Sequence, residues 1–267
     1  NDNAAITRFI IEQSNRAGLA NVFPIGAITK GSDGSELAEM GEMKTAGIVA
    51  VSDDGRPVPN AGMMRRALEY AKDFDLTVID HCEDKSLSHG GVMHEGKMSL
   101  LLGLKGMPAL AEDIDAMRDV LLSEATGAKV HIAHISTKGA VEAVRWAKSK
   151  GLKVTSEVTP HHFALTDEAV EGYDTNTKMA PPLRSREHVE AVLEAIKDGT
   201  IDAIATDHAP HTLDEKNLTY LKAPSGGPLV QHSILAMLDF YHQQKISLEK
   251  IVQKMSHHVA ELFRIEK

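Results

Sequence analysis

One feature constrains this chain more than any other: short apolar runs alternate regularly with longer amphipathic stretches. The runs are Asn21–Thr29, Gly47–Ser52, Thr77–Cys82, Lys129–Ile135, Lys153–Val158 and Asp202–Thr206. Each is rich in Val, Ile or Ala and reads as a strand buried on both faces. Between them, Gly62–Phe74 places Met63, Ala67, Leu68 and Ala71 on one helical face. Ala109–Thr126 repeats apolar residues at helical spacing and stops before Gly127. Gly139–Lys150 stops before Gly151, and Ser185 caps a helix that runs to about Asp198, before Gly199. Strand and helix in alternation mean parallel βα units, and six can be counted.

Two α/β architectures accommodate that pattern. A closed barrel has eight units and about 250 residues, so a barrel made from these six would have two further strands upstream of this sequence. An open doubly wound sheet is the alternative, but no glycine-rich phosphate loop follows the first run. With 267 residues and no Pro/Gly-rich linker, residues 1–267 read as one domain.

Charge and composition exclude several classes of function. The formal net charge is −9, and an acidic surface repels phosphate backbones, so nucleic acid is not an expected partner. No apolar run approaches the roughly 18 residues of a membrane span, and the opening NDNAAITRFI lacks the features of a signal peptide. Cys82 is the only cysteine, which precludes an intrachain disulfide and fits a cytoplasmic location.

The polar residues cluster where the strands end. Ser52-Asp53-Asp54-Gly55, Asp80-His81-Cys82-Glu83-Asp84, His131-Ile132-Ala133-His134, Glu157 with Thr159-Pro160-His161-His162, and Thr206-Asp207-His208-Ala209-Pro210-His211 close successive runs. Catalytic groups of α/β barrels gather at that rim, and imidazoles with carboxylates suit Zn2+ or a related divalent ion. Alternation along a strand puts His131 and His134 on opposite faces, which admits only one to the interior and favours His134. It likewise separates His81 from Asp80 and Asp207 from Thr206. Taken singly, each has an ordinary reading. Asp-Asp-Gly is a turn, Cys82 a small buried residue and Glu157 a paired core carboxylate. His161-His162, His257-His258, His89 and His94 read as loop or surface histidines.

Several strings together resemble one family. FPIGAITKG (23–31), SDDG (52–55), DHCED (80–84), HEGKMSLLLGL (94–104), HIAHIST (131–137), KMAPPLR (178–184) and ATDHAPH (205–211) are similar, in order, to the bacterial dihydroorotases of the amidohydrolase superfamily. The resemblance implies a (β/α)8 TIM-type barrel, present here as strands three to eight, with a small β-sandwich built from both chain ends. It implies that the family's first-strand His-x-His pair and a substrate-binding Arg lie outside this sequence, which by itself would then be inactive. It implies two zinc ions bridged by Asp54, with His81 and His134 on the second and Asp207 on the first. Asp207 would also be the catalytic acid/base, and His211 a contact to the substrate carboxylate beside Ser225 and Gly226. Ala180 stands where many members carry an Asn that touches substrate.

The reaction so implied is the reversible interconversion of dihydroorotate and N-carbamoyl-L-aspartate in pyrimidine synthesis. A small anionic substrate is the expected ligand, and a second copy or aspartate transcarbamoylase the expected protein partner. Hydantoinase, dihydropyrimidinase and allantoinase relatives are the nearest alternatives. They bridge their metals with a carboxylated lysine, and no lysine ends the run Gly47–Ser52. A non-catalytic dihydroorotase-like scaffolding subunit is the other alternative; such proteins lose metal ligands, which this sequence retains.

Overall fold

In the computed structural model, which describes residues 1–265, eight strands form two parallel sheets. They are β1 (Ile25–Gly26), β2 (Ala50–Ser52), β3 (Thr77–Asp80), β4 (Met93–His94), β5 (Gly106–Met107), β6 (Lys129–Ile132), β7 (Val154–Val158) and β8 (Ala203–Ile204). The main sheet runs β1-β2-β3-β6-β7-β8, every neighbour parallel, so the six expected strands are adjacent in chain order. The pair β4-β5 forms a small separate ribbon that the apolar pattern did not reveal, because each strand has only two residues.

Alternation sorts the side chains into two layers. Val51, Val78, Val130, Ile132 and Val154 face outward and pack on Ala67, Leu68, Ala140, Val144 and Val192 of the flanking helices. Fully burying each such Val or Ile contributes about 1.5–3 kcal/mol. Ala50, Ile79 and Ala133 face the opposite, inner side, where Phe263 packs against them. The helices Ala61–Asp73, Leu110–Thr126, Lys138–Ser149 and Arg186–Asp198 follow their strands as the periodicity predicts. Asn60 and Thr137 cap two of them by accepting the backbone N–H groups of Met63 and Ala140.

Two expectations need correction. The first run is not buried on both faces: Val22, Phe23 and Ile25 are exposed, and only Ile25–Gly26 pairs with β2. Its outer edge is not bare, because the Ala27 N–H donates to the Asn1 carbonyl and the Asn1 side chain donates to Ile25 O. The helix Leu110–Thr126 also departs from the expected polarity. Glu112, Asp115 and Asp119 point inward and are buried, whereas Leu110, Ile114, Met117 and Leu121 face out.

Candidate metal centre

The ends of β2, β3 and β6 bring three donor side chains to one point. After β2, Asp53 turns outward and its carboxylate accepts the backbone N–H groups of Ile28 and Thr29, which anchors the turn. The next residue, Asp54, is thereby presented on the rim. His81 follows Asp80 and shares the inner face with Ile79, while Asp80 faces the helices, as parity requires.

His134 breaks parity. Its φ is +32°, in the left-handed region, where His is tolerated better than most residues. That one residue redirects the side chain, so His131 and His134 both reach the inner face. His131 Nδ1 lies 2.8 Å from Thr155 Oγ1 and Nε2 lies 3.3 Å from Glu157 Oε2, and its ring packs on Phe263. The expectation that only one of the two histidines enters fails for this reason. Asp207 has the same left-handed conformation, with φ +48°. Conformations of this kind cost of order 1–3 kcal/mol and concentrate at functional sites.

His81 Nδ1 and His134 Nε2 are 3.0 Å apart, and Asp54 Oδ1 lies 3.4 Å from the first and 3.2 Å from the second. A tetrahedral divalent ion with bonds of about 2.0–2.1 Å separates its ligands by about 3.3 Å. The three atoms therefore stand at the mutual distances of ligands around one ion, and two imidazoles with a carboxylate are a fitting donor set. The electrostatics agree. Burial works against a charged His81, but the hydrogen bonds its ring donates to Asp54 and Glu83 outweigh it and push the ring up to about 9. Hydrogen bonds from His134 and His81 hold Asp54 far below the usual carboxylate range.

Glu83 completes the arrangement and was not singled out from the sequence. Its Oε2 accepts from His81 Nε2 at 3.0 Å, the carboxylate–histidine pairing that orients a metal-binding imidazole. Burial opposes the charge, but bonds from His81, Lys85 and Ser88 pull this carboxyl down to about 2. Asp207 stands outside the convergent triad, within electrostatic reach of His134, Asp54, His81 and Glu157; burial raises its carboxyl above the ordinary value.

The other expected residues fall nearby. His211 Nε2 donates to the Ser225 carbonyl at 2.9 Å, so its Nδ1 is the nitrogen left for an outside partner, with Glu215 3.7 Å away. Gly226 has φ +108° and donates to Lys178 O. A side chain there would strike Ala209 at 2.7 Å. Ala180, exposed, precedes Pro181 through a cis peptide bond. A cleft of about 310 Å3 has Glu83, Lys85, Lys178, Ala180 and Ser225 among its walls, so Ala180 and Ser225 share a cavity with the carboxylate that holds His81. A larger cavity of about 660 Å3 lies elsewhere, between Lys197 and Lys250, and contains none of these groups.

Three histidines read as loop or surface residues are buried: His94, His161 and His162. His162 Nε2 donates to Pro181 O at 2.9 Å, and its Nδ1 accepts from Thr159 Oγ1. Single-residue reasoning missed His161 and His162 because a His-His pair after a strand carries no burial signal of its own, and His94 because its strand has only two residues. Cys82 is buried as expected, and burial pushes its thiol well above the ordinary value.

Residues 6–140, half of the chain, match the family model described as dihydro-orotase-like. The chain belongs to that family. It is 62% identical over 225 residues to a dihydroorotase of Pelotomaculum thermopropionicum, covering 84% of this chain and 52% of that protein. To a dihydroorotase of Geobacter metallireducens it is 53% identical over 267 residues, 100% of this chain and 63% of that protein. The chain thus spans between about half and two-thirds of the length of these curated relatives. Among solved structures it superposes on the L-hydantoinase of Arthrobacter aurescens with a TM-score of 0.84 at 23% identity, covering 98% of this chain and 60% of that one. It superposes on the dihydroorotase of Saccharomyces cerevisiae with a TM-score of 0.79 at 15% identity, covering 99% and 73%. At those identities the likeness is one of fold, and it places the parallel sheet seen here within the barrel architecture of those two proteins. Among the described residues no helix is long and apolar enough to cross a membrane.

Proposed function

We propose that this sequence supplies the zinc-binding rim of a cytoplasmic dihydroorotase, which interconverts dihydroorotate and N-carbamoyl-L-aspartate. The observation that carries the reading is the convergence of Asp54, His81 and His134 from three separate strand ends. The identity to dihydroorotases supports the substrate class. So does the carboxylate at the end of β2, where the hydantoinase-type alternative expects a carboxylated lysine.

The chain's own groups then have distinct tasks. Asp54, His81 and His134 would hold the ion, and Glu83, by accepting from His81 Nε2, fixes the ring and leaves Nδ1 as its donor nitrogen. When bound, such an ion lowers the pKa of water at the site and polarises a carbonyl. Asp207, whose proton affinity burial raises, takes the proton of the attacking water and returns it to the departing amide nitrogen. His211, beside Ser225 and Gly226, meets the carboxylate of the small anionic substrate. Ala180 leaves that wall of the cleft without a side-chain amide.

The test is substrate choice in the complete enzyme. Dihydroorotate should be turned over and uncharged dihydrouracil should not, and His211→Ala should raise KM by roughly ten- to a hundredfold, the scale of one charge-assisted hydrogen bond. Equal turnover of both substrates would favour the dihydropyrimidinase reading instead.

A further inference from the structure

The helix Leu110–Thr126 is packed with its charges inward, although a helix that only covered a sheet would turn apolar residues in and charges out. Burying charges is a weak source of stability, because desolvation offsets the attraction between partners. The inward charges lie at 112, 115 and 118, three apart and hence on one face. Each reaches a loop that carries one of the convergent side chains. Glu112 Oε1 accepts the N–H groups of Ser136 at 2.7 Å and Thr137 at 3.0 Å, just after His134. Asp115 Oδ2 accepts the N–H of Glu83 at 3.2 Å, the residue whose carboxylate orients His81. Arg118 donates to the Val58 carbonyl at 3.0 Å, in the loop that follows Asp54, and to Asp80 at 3.1 Å, immediately before His81. Asp115 Oδ1 and Arg118 Nη1, 3.0 Å apart, join two of the three grips.

We infer that Glu112, Asp115 and Arg118 are positioning residues, a single helix face that sets the spacing of Asp54, His81 and His134 from behind the sheet. The inference rests on reading those three side chains as metal ligands. Ligands that come from three strands must be held to within about 0.5 Å to bind one ion well. A rigid helix that touches all three loops supplies that constraint, where loops held independently would not.

The experiment measures Co2+ binding and its visible absorption in Glu112→Gln and Arg118→Lys, with Val144→Ala as control. Val144 is a core residue of the same helical layer, so its truncation lowers stability with no grip on the three loops named above. Each test variant should bind Co2+ about 10–100-fold more weakly, the usual effect of losing an outer support of a ligand. Its absorption bands should also shift. Val144→Ala should melt lower yet keep both affinity and spectrum. Folded test variants that bind within twofold of the parent would overturn the inference, as would a Val144→Ala variant that loses as much affinity. If Arg118→Lys does not fold, Glu112→Gln decides alone. If the parent binds no Co2+, the metal reading fails separately. The ring-nitrogen NMR shifts of His81 and His134 then decide. They should move in both test variants and not in the control, and unchanged shifts would refute the positioning role.

Discussion

Removing the charge of Glu83 should weaken metal binding by a definite, moderate amount. With its carboxyl pulled down to about 2, Glu83 is an anion near neutral pH. Its Oε2 accepts from His81 Nε2 at 3.0 Å and from Lys85, and its Oε1 accepts from Ser88. In Glu83→Gln the amide oxygen can keep the His81 bond while the amide nitrogen donates to the Ser88 hydroxyl, which can rotate to accept. Geometry survives and the charge is lost. A hydrogen bond to a charged group contributes about 1.5–3 kcal/mol and a neutral one about 0.5–1.5, so the expected loss is about 1–1.5 kcal/mol, or roughly five- to fifteenfold in affinity. Glu83→Ala releases the ring altogether and should cost the full 10–100-fold typical of an outer-sphere partner. Competition against a chromophoric chelator measures both, with circular dichroism to show that the variants are folded. Two folded variants that bind within twofold of the parent would refute the claim that Glu83 orients His81.

Other consequences follow from the same geometry. Gly226→Ala forces a side chain against Ala209 at a φ of +108°, so chemical denaturation should show a loss of at least about 1–3 kcal/mol; an unchanged midpoint would contradict the close approach. Burial drives the His162 ring down to about 3, from an ordinary value of 6.5, despite its bond to Pro181. A folded value below the unfolded one means full stability above pH 6.5 and loss as the pH falls toward 3, by about 1.4 kcal/mol per unit. His162→Gln should flatten the slope between about pH 6 and about pH 5 by that amount, and equal slopes would show that the ring titrates normally. In the complete enzyme, Asp207→Asn keeps the shape but not the proton acceptor, so kcat should fall about a hundredfold or more; retained turnover would assign the proton transfer to another group.

The parallel sheet and its order were legible in the sequence because strands flanked by helices on one face read as Val- and Ile-rich runs, and that signal is strong from Gly47–Ser52 to Lys153–Val158. It fails at β4 and β5, which are too short to show a period. The three convergent residues were legible because each stands at or just beyond the end of such a run. Glu83 was not, and neither were two features of the backbone and packing. The left-handed backbone at His134 overrides strand parity, and no sequence rule assigns a positive φ to a particular His. The inward charges of Leu110–Thr126 sit at helical spacing just as its leucines do, so periodicity identifies the helix without saying which stripe is buried. Only the loops that Glu112, Asp115 and Arg118 touch reveal it, and those contacts lie 24 to 60 residues away along the chain.

The most direct test of the account is zinc titration by calorimetry of this chain and of the double variant His81→Ala with His134→Ala. Asp54, His81 and His134 stand at ligand spacing around one point, so the parent should bind one ion at that centre with saturable heat, and the double variant should lose that binding while keeping its helical circular dichroism. A parent that binds no zinc, or a folded double variant that binds as tightly as the parent, would contradict the claim that these three strand ends form a metal centre.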